Sequence, residues 1–318
     1  MKKVLITGVS GFAGSFLAEH LLQKNEFEVW GTYLREPSLA NLEDIKDKVS
    51  LVQLDFLDLD KVIKTISDIA PDYIFHLAAI PSVRESFSNP SKVFFNNVDS
   101  ELNLLEAIRL KNLSETKILI ISSAEIYGLV SKENLPISEN TPFRPTSSYA
   151  VSKLTQDFLG LQYFLSYGLK VVRVRPFNHI GPRQAPGFVV SSFAKKIAEL
   201  EKNNSEIIRV GNLSSKRDFT DVRDMVKAYL LAIEKGEPGD VYNIGSDKSY
   251  SISEILDKMI KISGKNIKFE IDKSLFMPSD NPETVSDSSK FIKLTGWKPE
   301  IDLDTTLADT LDYWRKEV

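Results

Sequence analysis

A tyrosine and a lysine four residues apart, in Tyr149-Ala150-Val151-Ser152-Lys153, would share one face of a helix and set a phenol beside an ammonium. A nearby cation stabilises phenolate, so the pair would draw the tyrosine pKa from about 10 towards values suited to proton transfer near neutrality. Taken alone, the spacing also describes many inert helix surfaces. A second segment, Ser122-Ser123-Ala124-Glu125-Ile126-Tyr127-Gly128, ends a strand-like run, at the edge where ligands collect in parallel sheets. There the Ser123 hydroxyl would hold a substrate oxygen and Glu125 would do acid-base work; a turn-stabilising hydroxyl and a solvated carboxylate are the plainer alternatives. Ser123, Tyr149, Lys153 and Glu125 are therefore the candidate catalytic groups. With no cysteine in the chain there is no thiol nucleophile, and three scattered histidines give no pattern for a zinc site, so no metal is expected.

Thr7-Gly8-Val9-Ser10-Gly11-Phe12-Ala13-Gly14 stands where a strand turns into a helix, with glycines at a tight turn and where backbone must approach a pyrophosphate. The helix N-terminus adds free N–H groups and the positive end of its dipole. Three spaced glycines are a weak signal by themselves, but here they open a series of strand-helix units. A dinucleotide is expected on Gly8, Gly11, Phe12, Ala13 and Gly14. At the end of the second strand an acidic residue would bind the ribose 2'-hydroxyl, whereas an arginine would accept a 2'-phosphate. The chain has Thr32 and then Arg35, with no carboxylate before Glu36, which points to NADP, with NAD as the alternative.

The elements that must position these groups are legible as an alternation. Strand candidates are Lys3 to Thr7, Glu28 to Thr32, Ser50 to Leu54, Tyr73 to Leu77, Lys117 to Ser122 and Leu169 to Arg175, nearly continuous in apolar character as in strands covered on both faces. Helices are predicted over Phe12 to Lys24, Asp60 to Ile69, Pro90 to Leu110 and Ser147 to Tyr167. Together they predict right-handed βαβ units and an α/β, Rossmann-type, doubly wound parallel sheet. From Pro176 the rhythm breaks at Gly181-Pro182, Pro186-Gly187, Pro238-Gly239 and a loop-like Met277 to Glu283. The expected organisation is a dinucleotide-binding domain over 1–175, joined by a returning segment at 217–244, and a smaller C-terminal substrate domain over 176–318.

Composition agrees with a globular enzyme. Of 318 residues 42% are apolar, and 40 Lys plus Arg against 44 Asp plus Glu are spread without a basic stripe, so no nucleic-acid partner is expected. Val4-Leu5-Ile6 is cut at Thr7-Gly8, shorter than the roughly 7 to 15 residues of a secretory leader. No run approaches the roughly 18 apolar residues of a membrane span. A cytoplasmic location and no membrane partner are the expectations.

These residues resemble the extended branch of the short-chain dehydrogenase/reductases, over essentially the whole chain. The landmarks are the glycine loop, Asp55-Phe56, His76-Leu77-Ala78-Ala79, Asn97, Ser123, Tyr149 with Lys153, and Pro176-Phe177-Asn178. Phe177 to Pro182, Gly187-Phe188-Val189-Val190, Val210 to Leu213 and Arg217 to Asp224 are similar to the GDP-4-keto-6-deoxy-D-mannose reductases. The resemblance implies that Tyr149 gives a proton to the oxygen at C4 of a nucleotide-linked sugar while NADPH delivers hydride to C4. Lys153 would tune Tyr149 and bind ribose, and Ser123 would position the carbonyl. It further implies Asp55 and Phe56 around adenine, Leu77, Ala78, Ala79, Asn97 and Pro176 along the cofactor, Asn178 and Arg217 on the diphosphate, and Ser82 and Val190 at the substrate. Met277 stands before Pro278-Ser279-Asp280 where similar reductases tend to carry an arginine that reaches the nucleotide. Nucleotide-sugar 4,6-dehydratases and 4-epimerases share the set, and a non-catalytic NADP sensor would share the scaffold. Apolar residues spread widely around the Ser147 to Tyr167 helix, including Val151, Phe158 and Leu165, predict a homodimer through this helix.

Overall fold

The computed structural model describes residues 1–203, 206–276 and 281–318. Its first half runs β1 (Lys2–Thr7), α1 (Phe12–Lys24), β2 (Phe27–Tyr33), β3 (Ser50–Gln53), α2 (Leu59–Ile69), β4 (Tyr73–His76), α3 (Val83–Ser88), α4 (Pro90–Leu110), β5 (Lys117–Ile121), α5 (Ser148–Tyr167) and β6 (Lys170–Pro176). There follow β7 (Asn178–Ile180), α6 (Val189–Asn203), β8 (Ile207–Val210), β9 (Lys216–Asp221), α7 (Val222–Lys235), β10 (Val241–Ile244), β11 (Ser249–Ser251), α8 (Ile252–Ser263), β12 (Lys268–Ile271), α9 (Ser289–Thr295) and α10 (Leu303–Glu317).

The expected doubly wound sheet is present: seven strands in the order β10-β6-β5-β4-β1-β2-β3, each pairing parallel. Because successive side chains leave a strand on opposite faces, β1 feeds two cores at once. Val4 and Ile6 pack with Leu17 and Leu21 of α1 and Val226, Tyr229 and Ile233 of α7. Leu5, between them, joins Ile66 of α2, Leu104 and Ile108 of α4 and Tyr163 of α5. Hence these strands read as unbroken apolar runs. Truncating such a fully buried side chain, Leu5→Ala for instance, costs ~2–5 kcal/mol.

After β6 the chain leaves the sheet and then comes back. Segment α7 packs in the core shared with α1, and β10 extends the sheet beside β6, Val241 to Ile244 pairing with Arg173 to Pro176. The remaining elements form a separate core. A three-stranded sheet β11-β9-β7 and a two-stranded β12-β8 lie with α6, α8 and α10 around Phe193, Ile197, Ile255, Leu256, Leu307 and Leu311. Helix α10 is pinned to α6 by Trp314, whose Nε1 donates to Ser191 Oγ at 3.0 Å. Among the described residues, no helix is long and apolar enough to cross a membrane.

Candidate active site

Sheet order reverses around β1, with β2 and β3 on one side and β4, β5, β6 and β10 on the other. Loops leaving the C-terminal strand ends diverge there and open a cleft of about 900 Å³ that continues onto β7, α6 and β8. Its floor is the glycine turn. Gly8 adopts φ 68°, and a Cβ on it would come within 3.1 Å of the Ala78 Cα. A Cβ on Gly14 would lie 2.4 Å from the Gly8 carbonyl oxygen, so only glycine lets α1 start this close to β1. The result is a bare backbone cradle at a helix N-terminus, which fits a dinucleotide pyrophosphate.

Gly8, Gly11, Phe12, Ala13 and Gly14 line this end of the cleft together with Arg35, Asp55 and Phe56, and Leu77, Ala78, Ala79 and Pro176 continue its wall. Thr32 Oγ1 is taken up by the Gly8 N–H at 3.3 Å, and the Arg35 guanidinium makes no ion pair among the described residues. Asn97 differs from its expected place. Its side chain is fully buried behind the wall, accepting from Ile80 N at 2.7 Å and donating to Ser152 Oγ at 3.1 Å. It therefore shapes the loop after β4 and ties α4 to α5, and does not line the cleft. Thr7 Oγ1 does similar work, accepting from the N–H groups of Leu77 and Ala78 at 3.1 and 3.0 Å.

Ser123, Glu125, Tyr149 and Lys153 meet in the middle of the cleft. Helix α5 presents Tyr149 and Lys153 because Ser147 caps it, its Oγ accepting from Ala150 N at 3.1 Å. Ser122, at the end of β5, donates to Lys153 O at 3.2 Å and so registers the helix against the strand. Deeper in α5, Asp157 is fully buried and accepts from Arg173 at 2.7 Å and from Arg175 at 2.8 and 3.1 Å.

The electrostatics correct one expectation. The Tyr149 phenol is not lowered: burial pushes it up to about 12, with the Ser123 hydroxyl pulling it down and the Glu125 carboxylate adding to the rise. The Lys153 ammonium is directed at Gln156 Oε1, 2.8 Å away, and burial lowers it, against the pull of Glu101 and Asp157, to about 8. The physical reason is desolvation, which disfavours whichever form carries charge. A phenol held protonated is a proton donor in waiting, the form that reduction of a ketone requires.

At the other end lie Ser82, Asn178, Val190 and Arg217. Ser82 caps α3, its Oγ accepting from Glu85 N at 3.0 Å. Arg217 donates to the Asn281 carbonyl at 2.7 Å, while Asp218 beside it is engaged by Ser246 and Ser286. The cleft also takes in Phe188, part of the Gly187-Phe188-Val189-Val190 landmark, and Ser38, Arg84 and Lys196, to which the sequence assigned no role. Lys196 lies two turns beyond Phe188, in the middle of the amphipathic α6, a signal that helical periodicity offered; Ser38 and Arg84 lie in short elements that offer none. Met277, Pro278, Ser279 and Asp280 lie outside the described residues. Among the described residues, no group of three or more His, Cys, Asp or Glu could hold a metal.

A family model described as GDP-mannose 4,6 dehydratase matches residues 5–310. The chain belongs to this family. Within the extended short-chain dehydrogenase/reductases that it is part of, the chain is 32% identical to the GDP-6-deoxy-D-mannose reductase of Pseudomonas aeruginosa, over 100% of the chain and 98% of that protein. It is 30% identical to a GDP-mannose 4,6-dehydratase of Vibrio cholerae, over 97% of the chain and 92% of that protein. Among solved structures, that of RMD from Pseudomonas aeruginosa complexed with NADPH superposes with a TM-score of 0.85 at 31% identity, covering 100% of both chains.

Proposed function

We propose that this chain uses NADPH to reduce the C4 ketone of a nucleotide-linked 4-keto-6-deoxy sugar, converting GDP-4-keto-6-deoxy-D-mannose to GDP-D-rhamnose. The observation that carries the reading is the buried Tyr149 phenol facing Ser123 in a cleft that Arg35 and Arg217 also line. The similarity to the P. aeruginosa reductase supports it. Residues 1–175, joined by 217–244, would hold the cofactor, and 176–318 the sugar nucleotide. When bound on the glycine cradle, with Arg35 at its 2'-phosphate, NADPH supplies the hydride. Ser123 donates a hydrogen bond to the carbonyl oxygen, polarising C4. Tyr149 then transfers its proton to that oxygen as negative charge develops, and Lys153 favours the resulting phenolate. Asn178 and Arg217 bind the diphosphate.

Glu125 favours a second reading. A carboxylate beside Tyr149 in the same cleft is what a 4,6-dehydratase needs to remove a proton and help expel water, and GDP-mannose 4,6-dehydratases are among the relatives. Redox balance separates the two. Loss of reduced-nicotinamide absorbance in proportion to GDP-4-keto-6-deoxy-mannose supports the reductase. Absorbance that stays constant while GDP-mannose is dehydrated, or a 4-hydroxyl is inverted, replaces it with a dehydratase or 4-epimerase. Running NADPH against NADH, and guanosine- against uridine- and thymidine-linked sugars, ranks cofactor and base. A cofactor sensor would show no turnover at all.

We also propose that α5 mediates a homodimer. Val151, Phe158 and Leu165 recur every seventh residue along it, 40%, 47% and 70% exposed, and Phe95 on α4, which packs against α5, is 57% exposed. A second copy laid on this stripe would cover it; light scattering that gives a monomer, or a dimer untouched by Phe158→Glu with Leu165→Glu, removes the idea. A cytoplasmic location, testable by cell fractionation, goes with the nicotinamide cofactor.

A further inference from the structure

Helix α7 carries a hydroxyl that the mechanism above does not use. Tyr229 is fully buried, and its phenolic oxygen makes no hydrogen bond among the described residues. A buried tyrosine hydroxyl usually has a partner, and one left without calls for an explanation. Where the side chain goes follows from the direction of α7. The helix ends at the N-terminal edge of the large sheet, where the Ile233 and Glu234 carbonyls accept from Lys117 Nζ, at the start of β5, at 3.4 and 3.3 Å. It begins at the opposite edge: a Cβ added to Gly181 would stand 2.9 Å from Val222 Cγ1 and 3.9 Å from the ring of Phe12, beside the glycine cradle. Helical side chains lean towards the N-terminus of their helix, so Tyr229 leans towards the C-terminal strand ends. There it shares a core with Ile121 of β5 and Val174 of β6, and it lines the cleft together with Phe12, Ile121 and Pro176. Its Cβ is held on α7 against the sheet, so the part that meets the cleft is the far end of the ring.

A nicotinamide that delivers hydride beside Tyr149 must bring its ring to this stretch, where Phe12, Ile121 and Pro176 suit an apolar heterocycle. The one hydrogen-bonding substituent on that ring is its carboxamide, which is itself costly to bury unpaired. We propose that Tyr229 binds the cofactor, its O–H donating to the carboxamide oxygen and so fixing the rotation of the nicotinamide ring beside Tyr149. Donor and acceptor match: burial keeps the Tyr229 phenol protonated, and a carboxamide oxygen only accepts. The side chains that share its core, Leu17 and Met225 among them, are apolar and offer a water no second side-chain partner. The contact rests on the nicotinamide cofactor, and not on which sugar is reduced.

The test pairs one variant with one altered cofactor. Kd is measured by calorimetry for the native chain and for Tyr229→Phe, with NADPH and with its thionicotinamide analogue, in which sulfur, a weak acceptor, replaces the carboxamide oxygen. Tyr229→Phe should weaken NADPH by roughly 2- to 12-fold, the net worth of one neutral hydrogen bond, and the analogue by less than about 2-fold. A loss with the analogue equal to or greater than that with NADPH, or no loss with either, overturns the proposal. A packing role for the ring would move both cofactors alike. Should Tyr229→Phe not fold, a crystal structure of the native holoenzyme decides: Tyr229 Oη within about 3 Å of the carboxamide oxygen is expected, and a hydroxyl bonded only to water or to protein overturns it. The expected Kd pattern in a protein that reduces no 4-keto sugar would sink the reductase reading alone.

Discussion

Replacing Asp157 by asparagine keeps the shape of the side chain and removes its charge. Both guanidinium groups it binds are almost completely buried, Arg173 at 5% and Arg175 at 3% exposed, and the three hydrogen bonds between them measure 2.7, 2.8 and 3.1 Å. Removing one partner of a buried ion pair costs ~3–5 kcal/mol, mainly because the remaining charge is stranded. Asparagine keeps one acceptor oxygen, so its cost belongs at the lower end, about 3 kcal/mol, and leucine, which keeps none, belongs near 5. For a chain of 318 residues 3 kcal/mol is a fall of roughly 4–5 °C in Tm. Calorimetry on the native protein and on Asp157→Asn and Asp157→Leu provides the numbers. Stabilities within about 1 kcal/mol of native for both variants would refute the claim that Asp157 compensates these two buried charges. Because Asp157 lies one helical turn beyond Lys153, the Asn variant should also lose activity well below its Tm, through misplacement of α5.

Three further outcomes follow from the same geometry. Tyr149→Phe should lower kcat/KM for the keto sugar by about 10²–10⁴ while NADPH binding is retained; undiminished turnover would exclude Tyr149 as the acid. Arg35→Ser should raise KM for NADPH roughly tenfold to hundredfold, the loss of one charge-assisted contact, and leave NADH unaffected, so equal effects on both cofactors would remove the 2'-phosphate assignment. His76, which burial lowers to about 3, stays neutral in the folded protein while the unfolded chain takes up a proton below about 6.5. Its stabilising effect is therefore complete above that pH and is lost as pH falls towards 3, at up to ~1.4 kcal/mol per pH unit. Urea midpoints at pH 7 and pH 5 should diverge less in His76→Gln than in the native chain; identical slopes contradict this.

What the sequence made legible is what periodicity encodes. Helices α1 and α4 begin and end where apolar spacing, Pro90 and the turn before Phe12 place them, and β1, β4 and β5 read as continuous apolar runs because their faces are covered by different helices. The later strands were hidden for a physical reason. Segments β7 and β11 are three residues each, too short to carry a pattern, and both are held by pairing with β9, distant from β7 in sequence, as in Asn178 beside Phe219 and Tyr250 beside Arg217. Among the site residues, Tyr149, Lys153 and Ser123 were recognisable by type and spacing, since proton transfer from one helix face demands that spacing.

Burial, by contrast, decides how these groups behave, and burial is a tertiary quantity. Two residues show it. From spacing alone Lys153 would lower Tyr149, yet the walls of the cleft desolvate the phenol more than they leave the cation free to act on it. Glu101, one charge in a helix carrying several, is fully buried, and burial raises its carboxyl. Each follows from burial, so a substitution that opens the packing around Tyr149 and Lys153 should lower the pKa of Tyr149 and raise that of Lys153 together. Movement of both in the same direction, or of only one, would mean that desolvation is not the common cause.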